Sequence, residues 1–340
     1  MNFLLYLFLL VIILLLINNF FLKYNFLINE TGDRHQKFAS KEKVPLTGGL
    51  FLFLSFLFFI NDQVLSFILF SFLILLIGIF SDLKHIKSAF SRFIIQISLV
   101  ISFVIFNDFQ LINTKILLLD KLLSNEIFNY LFVSFCILIV INGSNFFDGL
   151  NTLSVGYYLL ISLIIFYLGV NNLVSVNEVF IKYILIVLIV IFFFNLFNKI
   201  FLGDSGSYLL GFIFATFLIE IYTSNKNISP FFIILLLWYP SYELVFSMIR
   251  KTTLKRSPLE PDSNHLHQLV FYSLKKKNSL KLLQANLLSA NLINSYNLII
   301  FLISMNYINN TQIQVILILL NLIIYTVIYF KLFVYRYKRL

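Results

Sequence analysis

Between two apolar segments the chain carries IVINGSNFFDGLNTLSVG, residues 139 to 156, in which Asn142, Asn145, Asp148 and Asn151 recur every third residue. In lipid an unpaired amide or carboxylate costs several kcal/mol, so such a cluster needs partners or a ligand. Amide oxygens and a carboxylate suit a hard cation such as Mg²⁺, while amide N–H groups can bond a ribose or a base. The plainer account is a polar loop made by the turn-forming Asn-Gly and Asp-Gly pairs. On a helix each step of three residues falls back by about 60°. The set therefore sweeps half the helix surface unless Gly143 or Gly149 turns the backbone.

Four further stretches could do chemistry: DRHQKFASKEKVPLTGG (33–49), GIFSDLKHIKSAFSRF (78–93), FLGDSGSYLLGF (201–212) and RSPLEPDSNHLHQL (256–269). Asp204 and Ser205, flanked by Gly203 and Gly206, precede an apolar helix. Asp there is a natural N-cap, and a helix N-terminus is also a phosphate and metal site. Asp82 ends an apolar segment next to Lys84, His85 and Lys87, where a carboxylate is often only a solvated boundary residue. His265 and His267 lack the further Cys or His ligands that zinc requires. With Arg256 and Lys255 nearby, their imidazole and guanidinium donors fit a pyrophosphate clamp better. Lys275 to Lys277 read as a patch facing lipid headgroups.

The elements that must position these residues are membrane helices. The 340-residue chain is 60% hydrophobic and only 12% charged, with a mean hydropathy of +0.94. That composition excludes a soluble globular domain and predicts one all-α polytopic membrane domain over 1–340. Runs long enough to cross a core of about 30 Å lie at 3–22, 45–61, 64–80, 92–106, 127–142, 153–170, 179–198, 206–222, 230–249, 286–305 and 312–334. Eleven spans result, or ten because a short NDQ turn separates two of them. The run at 3–22 has no basic residue before it and no small-residue cleavage pattern after it, so it reads as a spanning helix rather than a signal peptide. Of the 25 Lys and Arg residues, 21 fall in the loops after odd-numbered spans or in the C-terminal tail, against 3 in the other loops. This bias predicts an outside N-terminus and a cytoplasmic C-terminus. Loops 23–44, 81–91, 143–152, 199–205 and 250–285 then share the cytoplasmic face and could line one site. Helix orientation accounts for the net charge of +10 without nucleic acid, and the single Cys136 allows no intramolecular disulfide.

The five stretches in order, HQKF…VPLTGG, GIFSDLKHI, NGSNFFDGLNTL, FLGDSGS and PDSNHLH, resemble the polyprenyl-phosphate N-acetylhexosamine-1-phosphate transferases. The resemblance runs from about His35 to His267. It implies transfer of a sugar 1-phosphate from a UDP-N-acetylhexosamine to undecaprenyl or another polyprenyl phosphate, with release of UMP and a requirement for Mg²⁺. It also implies a plasma-membrane enzyme whose site faces the cytoplasm, serving lipid-linked surface glycan assembly, and a homodimer. Asp204 and Asn145 match the family's metal-binding positions, and Asp204 is a catalytic candidate together with Asp82. Asn142, Asp148 and Asn151 are candidates for binding the nucleotide, His265, His267 and Arg256 for the diphosphate, and Lys43 lies in the basic first loop that approaches the phosphates.

Three residues depart from the family pattern: Ser81 replaces the first of two aspartates, Asn151 stands where a carboxylate is common, and Gln268 replaces an imidazole. The acceptor phosphate has a second pKa near 6, so it is already nucleophilic at neutral pH and Ser81 need not abolish turnover. Asp82 is then expected to orient the acceptor, the metal or a lysine. A transporter or an inactive scaffold are the alternatives. The clustering of polar groups at span ends on one side argues against the transporter.

Overall fold

A computed structural model describes residues 3–28, 43–57, 65–255, 257–258, 262–277 and 280–337. Apart from an isolated bridge between Ile28 and Pro45, the described residues form helices and no strand. The helices are α1 (Phe3–Tyr24), α2 (Gly48–Phe56), α3 (Leu65–Asp82), α4 (Ala89–Phe106), α5 (Leu117–Leu123), α6 (Glu126–Phe147), α7 (Leu153–Val170), α8 (Glu178–Leu196), α9 (Gly203–Ser224), α10 (Pro230–Leu236), α11 (Trp238–Thr253), α12 (Leu266–Lys277), α13 (Leu282–Met305) and α14 (Thr311–Tyr337). Among the described residues nine are long and apolar enough to cross a membrane, so the chain is a multi-pass membrane protein.

Two of the eleven expected spans look different in the structure. The run at 45–61 contains α2, whose 9 residues extend only about 14 Å at 1.5 Å per residue. The run at 230–249 is split into α10 and α11, which meet at 71° and make a tenth span if taken as one broken unit. Pro240 explains the break: it has no N–H for the carbonyl of Leu236 and its ring crowds that carbonyl. The Tyr157 hydroxyl donates to Leu236 O instead, at 2.8 Å.

Local sequence sets where several spans start. The side chains of Ser88, Asn125 and Asn177 accept from the backbone N–H groups of Ser91, Phe128 and Phe180, capping α4, α6 and α8. Successive long helices run in alternate directions. At one end the last turn of α1, the start of α2, the end of α3 and the start of α9 meet. The end of α14 reaches the same side, where Arg336 donates to Asn264. The opposite end holds Tyr6 of α1 against Tyr183 of α8 and the Ser229–Thr311 hydroxyl pair. Helix α9 sits at the centre, with 83% of its span buried against 22% for α4 and for α14. Phe8 and Leu16 on α1 and Ile316, Ile323 and Phe330 on α14 face outward, as lipid-facing positions should.

Candidate active site

The start of α9 is fixed before any site chemistry is considered. Gly203 takes a φ of +70°, a conformation that favours glycine, and a Cβ there would lie 2.6 Å from Asp82 Oδ2. The Asp82 carboxylate, at the end of α3, accepts from Asp204 N at 2.9 Å and from Ser205 N at 3.1 Å. Helix α9 is thus capped by a residue from another span, and the side chain of Asp204 is freed from that role. The Asp204 and Ser205 amides at the start of α9 are occupied by Asp82, and buried Asp82 anchors this helix. The VPLTGG stretch fastens the same segment, since Phe201 N donates to Pro45 O at 2.9 Å and Gly48 N to Phe201 O at 3.0 Å.

Freed in this way, Asp204 becomes a hub. Its Oδ2 accepts from Ser81 Oγ at 2.5 Å and from Arg92 at 2.8 Å, and Arg92 also donates to the Ser81 hydroxyl. Its Oδ1 accepts from Asn145 Nδ2 at 2.7 Å, and that amide also reaches Ser207 Oγ at 3.1 Å. The structure therefore brings together the two residues expected to bind metal. A carboxylate at position 81 would face the Asp204 carboxylate, whereas serine supplies a donor. Arg92, which in the sequence is only one of the loop cations, finds Asp204 across 112 residues of chain.

Asn145, Asp148, Asn151, Asn195, Gly203 and Asp204 line a cleft at this end of the bundle. Burial pushes the Asp148 carboxyl up to about 8, and the charge of Asp204 acts in the same direction. The loop that carries it is held by asparagines the sequence reading does not single out. Asn151 N donates to Asn286 Oδ1 and Thr152 N to Asn195 Oδ1, while Asn294 Nδ2 donates to Thr152 O. Helix α6 ends at Phe147, just before the Asp148-Gly149 pair as expected, and Thr152 then takes the unusual φ of +64° ahead of α7. Asn151 lines the cleft, but its Nδ2 is spent on Asn195 O and Asn198 Oδ1. Asn142 does not reach the cleft, because α6 continues through it and its Nδ2 donates to Leu138 O at 3.0 Å. Gly143 stays helical and lets α11 approach: a Cβ there would lie 2.3 Å from Pro240 O.

Neither histidine lines the cleft. His265 Nδ1 meets Glu243 Oε1 at 2.9 Å, and its Nε2 lies 3.3 Å from Asp262 Oδ1. His267 is fully buried and stacks on His265 with ring centroids 5.6 Å apart. Its ring stands against Gly149, where a Cβ would lie 2.3 Å from Nε2, so it supports the cleft wall. Burial alone would raise the Asp262 carboxyl, but the Arg250 hydrogen bond and the charges of His265, Arg250 and Lys251 hold it below the ordinary value. Lys43 is exposed, donates to Asn25 Oδ1 at 3.0 Å and does not line the cleft. Arg256 and the first loop from 29 to 42, including His35, lie outside the described residues. Glu243, Asp262, Arg250 and Lys251 join the cluster without having been singled out as site residues. The one signal was a glutamate, Glu243, inside an apolar run, which needs a partner.

The family model described as glycosyl transferase family 4 matches residues 64–222, the span that supplies Ser81, Asp82, Arg92, Asn145, Asp148 and Asp204. The undecaprenyl-phosphate alpha-N-acetylglucosaminyl 1-phosphate transferase of Thermotoga maritima is 28% identical over 250 residues, which is 74% of this chain and 76% of that one. Proteins of the same name from Salmonella typhi and Escherichia coli K12 are 38% and 36% identical over 74 residues, and the match spans 20% of their length. The GIFSDLKHI, NGSNFFDGLNTL and FLGDSGS motifs that the family model spans gather at one end of a helical membrane bundle, so residues 64–222 carry the sequence pattern of glycosyl transferase family 4.

Proposed function

We propose that the protein transfers an N-acetylhexosamine 1-phosphate from a UDP-sugar to undecaprenyl or another polyprenyl phosphate, releasing UMP. The observation that carries this reading is the convergence of Asp204, Asn145 and Asp148 on one cleft at one end of a membrane bundle. The name of the Thermotoga maritima relative, which covers most of both chains, supports it. An oxygen of the lipid phosphate attacks the sugar-bearing phosphorus, and the bond from that phosphorus to UMP breaks. The attacking phosphate has a second pKa near 6, so no general base is required. The barrier lies in aligning two anions and neutralising the charge that develops.

The residues at the cleft fit Mg²⁺ by donor chemistry: Asp204 brings a carboxylate and Asn145 an amide, a hard-oxygen set that leaves room for water and phosphate. These two would hold the ion, which when bound supplies charge neutralisation on the diphosphate. Ser81 and Arg92 fix the carboxylate of Asp204, and Asp82 fixes the helix beneath it. Asp148, neutral over most of the ordinary pH range, offers a proton donor where a second carboxylate would repel the ligand. The excess of Lys and Arg in the loops at this end supports a cytoplasmic site in a bacterial cell, with UDP-sugar arriving from water and the lipid phosphate from the bilayer.

The test is UMP release by purified protein supplied with undecaprenyl phosphate, Mg²⁺ and a panel of UDP-N-acetylhexosamines. Wild type should turn over one donor, and Asp204→Ala should lose about 100-fold or more of that rate, the scale of a lost charge-stabilising group. Equal rates in both, or no release together with no UDP binding, would refute the reading.

A further inference from the structure

Helix α14 is largely lipid-facing, yet its last turn makes a dense polar contact. The Arg336 guanidinium donates to the backbone carbonyl of Ser263, to Asn264 Oδ1 at 3.0 Å and to Ser263 Oγ at 3.1 Å. Tyr337 adds a hydrogen bond to the same Asn264 Oδ1 at 2.7 Å. The guanidinium plane lies 4.0 Å from the ring centroid of Tyr272 on α12. Three donations and one stacked ring define both the position and the tilt of the fork, which an ammonium could not reproduce.

What Arg336 holds is the approach to the histidine loop. Ser263 and Asn264 come immediately before His265, whose ring is clamped by Glu243 and Asp262 and stacks on His267. His267 in turn bears on Gly149 in the cleft wall. Higher along α14, Tyr325 donates to Glu243 Oε2 at 2.7 Å. One helix therefore braces the loop from two directions, through Arg336 ahead of His265 and through Tyr325 behind its carboxylate partner.

We propose that Arg336 is a positioning residue that acts through the 262–268 loop to hold His265 in its stack on His267, and thereby His267 against Gly149 in the wall of the cleft. The part of this inference that concerns turnover rests on the reaction proposed above, whereas the part that concerns the loop does not. Two measurements on the full chain separate them. Hydrogen exchange should show the amides of 262–268 exchanging about tenfold faster in Arg336→Ala and in Arg336→Lys, with α6 and α9 unchanged, as expected for a local opening. With the responsive UDP-sugar, both variants should lose about tenfold in kcat/KM, and Asn264→Ala combined with Arg336→Ala should be no worse than either alone, since partners in one contact are not additive.

Exchange in 262–268 that matches wild type, or that rises equally across the whole bundle, would overturn the proposal. So would full rescue by Arg336→Lys. Should Arg336→Ala fail to fold, Asn264→Ala removes the same contact from the loop side and must reproduce the local exchange change. If wild type neither releases UMP nor binds UDP, the reaction reading falls while the exchange result still decides the role of Arg336.

Discussion

Asp148 shows at the residue scale how the fold changes what a side chain can do. Its ordinary value of 3.8 is raised to about 8, first by burial and then by Asp204. A carboxyl that binds its proton more tightly when folded contributes stability that is complete below about pH 4 and is lost as pH rises towards 8. Asp148→Asn, neutral throughout, should remove that slope. Thermal unfolding of both proteins in detergent from pH 4 to pH 8 should therefore show wild type losing stability relative to the variant, and parallel curves would contradict the assignment. Asn145, Asp148 and Asp204 were legible as chemistry because polar residues at short spacing in an apolar chain need a reason. Arg92 and Glu243 were not, since what distinguishes them from other charges is a partner chosen by tertiary packing, Asp204 for one and Tyr325 with His265 for the other. Asp82 was legible as a site residue and illegible as a cap, because the helix it caps lies 122 residues away.

At the scale of elements, the site depends on how closely α2 and α3 approach the start of α9. A Cβ at Gly78 would lie 2.2 Å from Ser205 Cα, and one at Gly49 would lie 2.4 Å from Gly206 N. Both contacts are with backbone, so the helices themselves would have to part, and overpacking of this kind costs about 1–3 kcal/mol or more. Gly78→Ala should lower the melting temperature and move Ser81 and Asp82 away from α9. Unfolding monitored by tryptophan fluorescence, alongside UDP binding, checks this, and an unchanged melting temperature would mean that the seam is slack. Apolar run length made most spans legible. It could not place the end of α2 at Phe56, because the run 45–61 stays apolar past that residue. Pro240 is a sequence signal for the break between α10 and α11, but the bend of 71° is set by what packs there, notably Gly143 under Pro240 and Tyr157 on the freed carbonyl.

For the whole molecule, the alternation of helices puts Lys115 and Lys255 at opposite ends: Lys115 donates to Thr311 at the start of α14, while Lys255 follows α11 on the side of the cleft. The charge bias of 21 against 3 Lys and Arg residues predicts, by the excess of cations expected in cytoplasmic loops, that the cleft end faces the cytoplasm. For the proposed reaction this orientation matters, because a soluble nucleotide sugar would have to reach the cleft from water whereas a polyprenyl phosphate would reach it from the membrane. In a Cys136→Ser background, Lys115→Cys should react with a membrane-impermeant maleimide on intact cells, and Lys255→Cys only after the membrane is opened. The reverse pattern would put Asp204 and Asn145 on the outer face, where a cytoplasmic UDP-sugar pool has no access. The proposed donor would then have to be abandoned even if the cleft geometry stood.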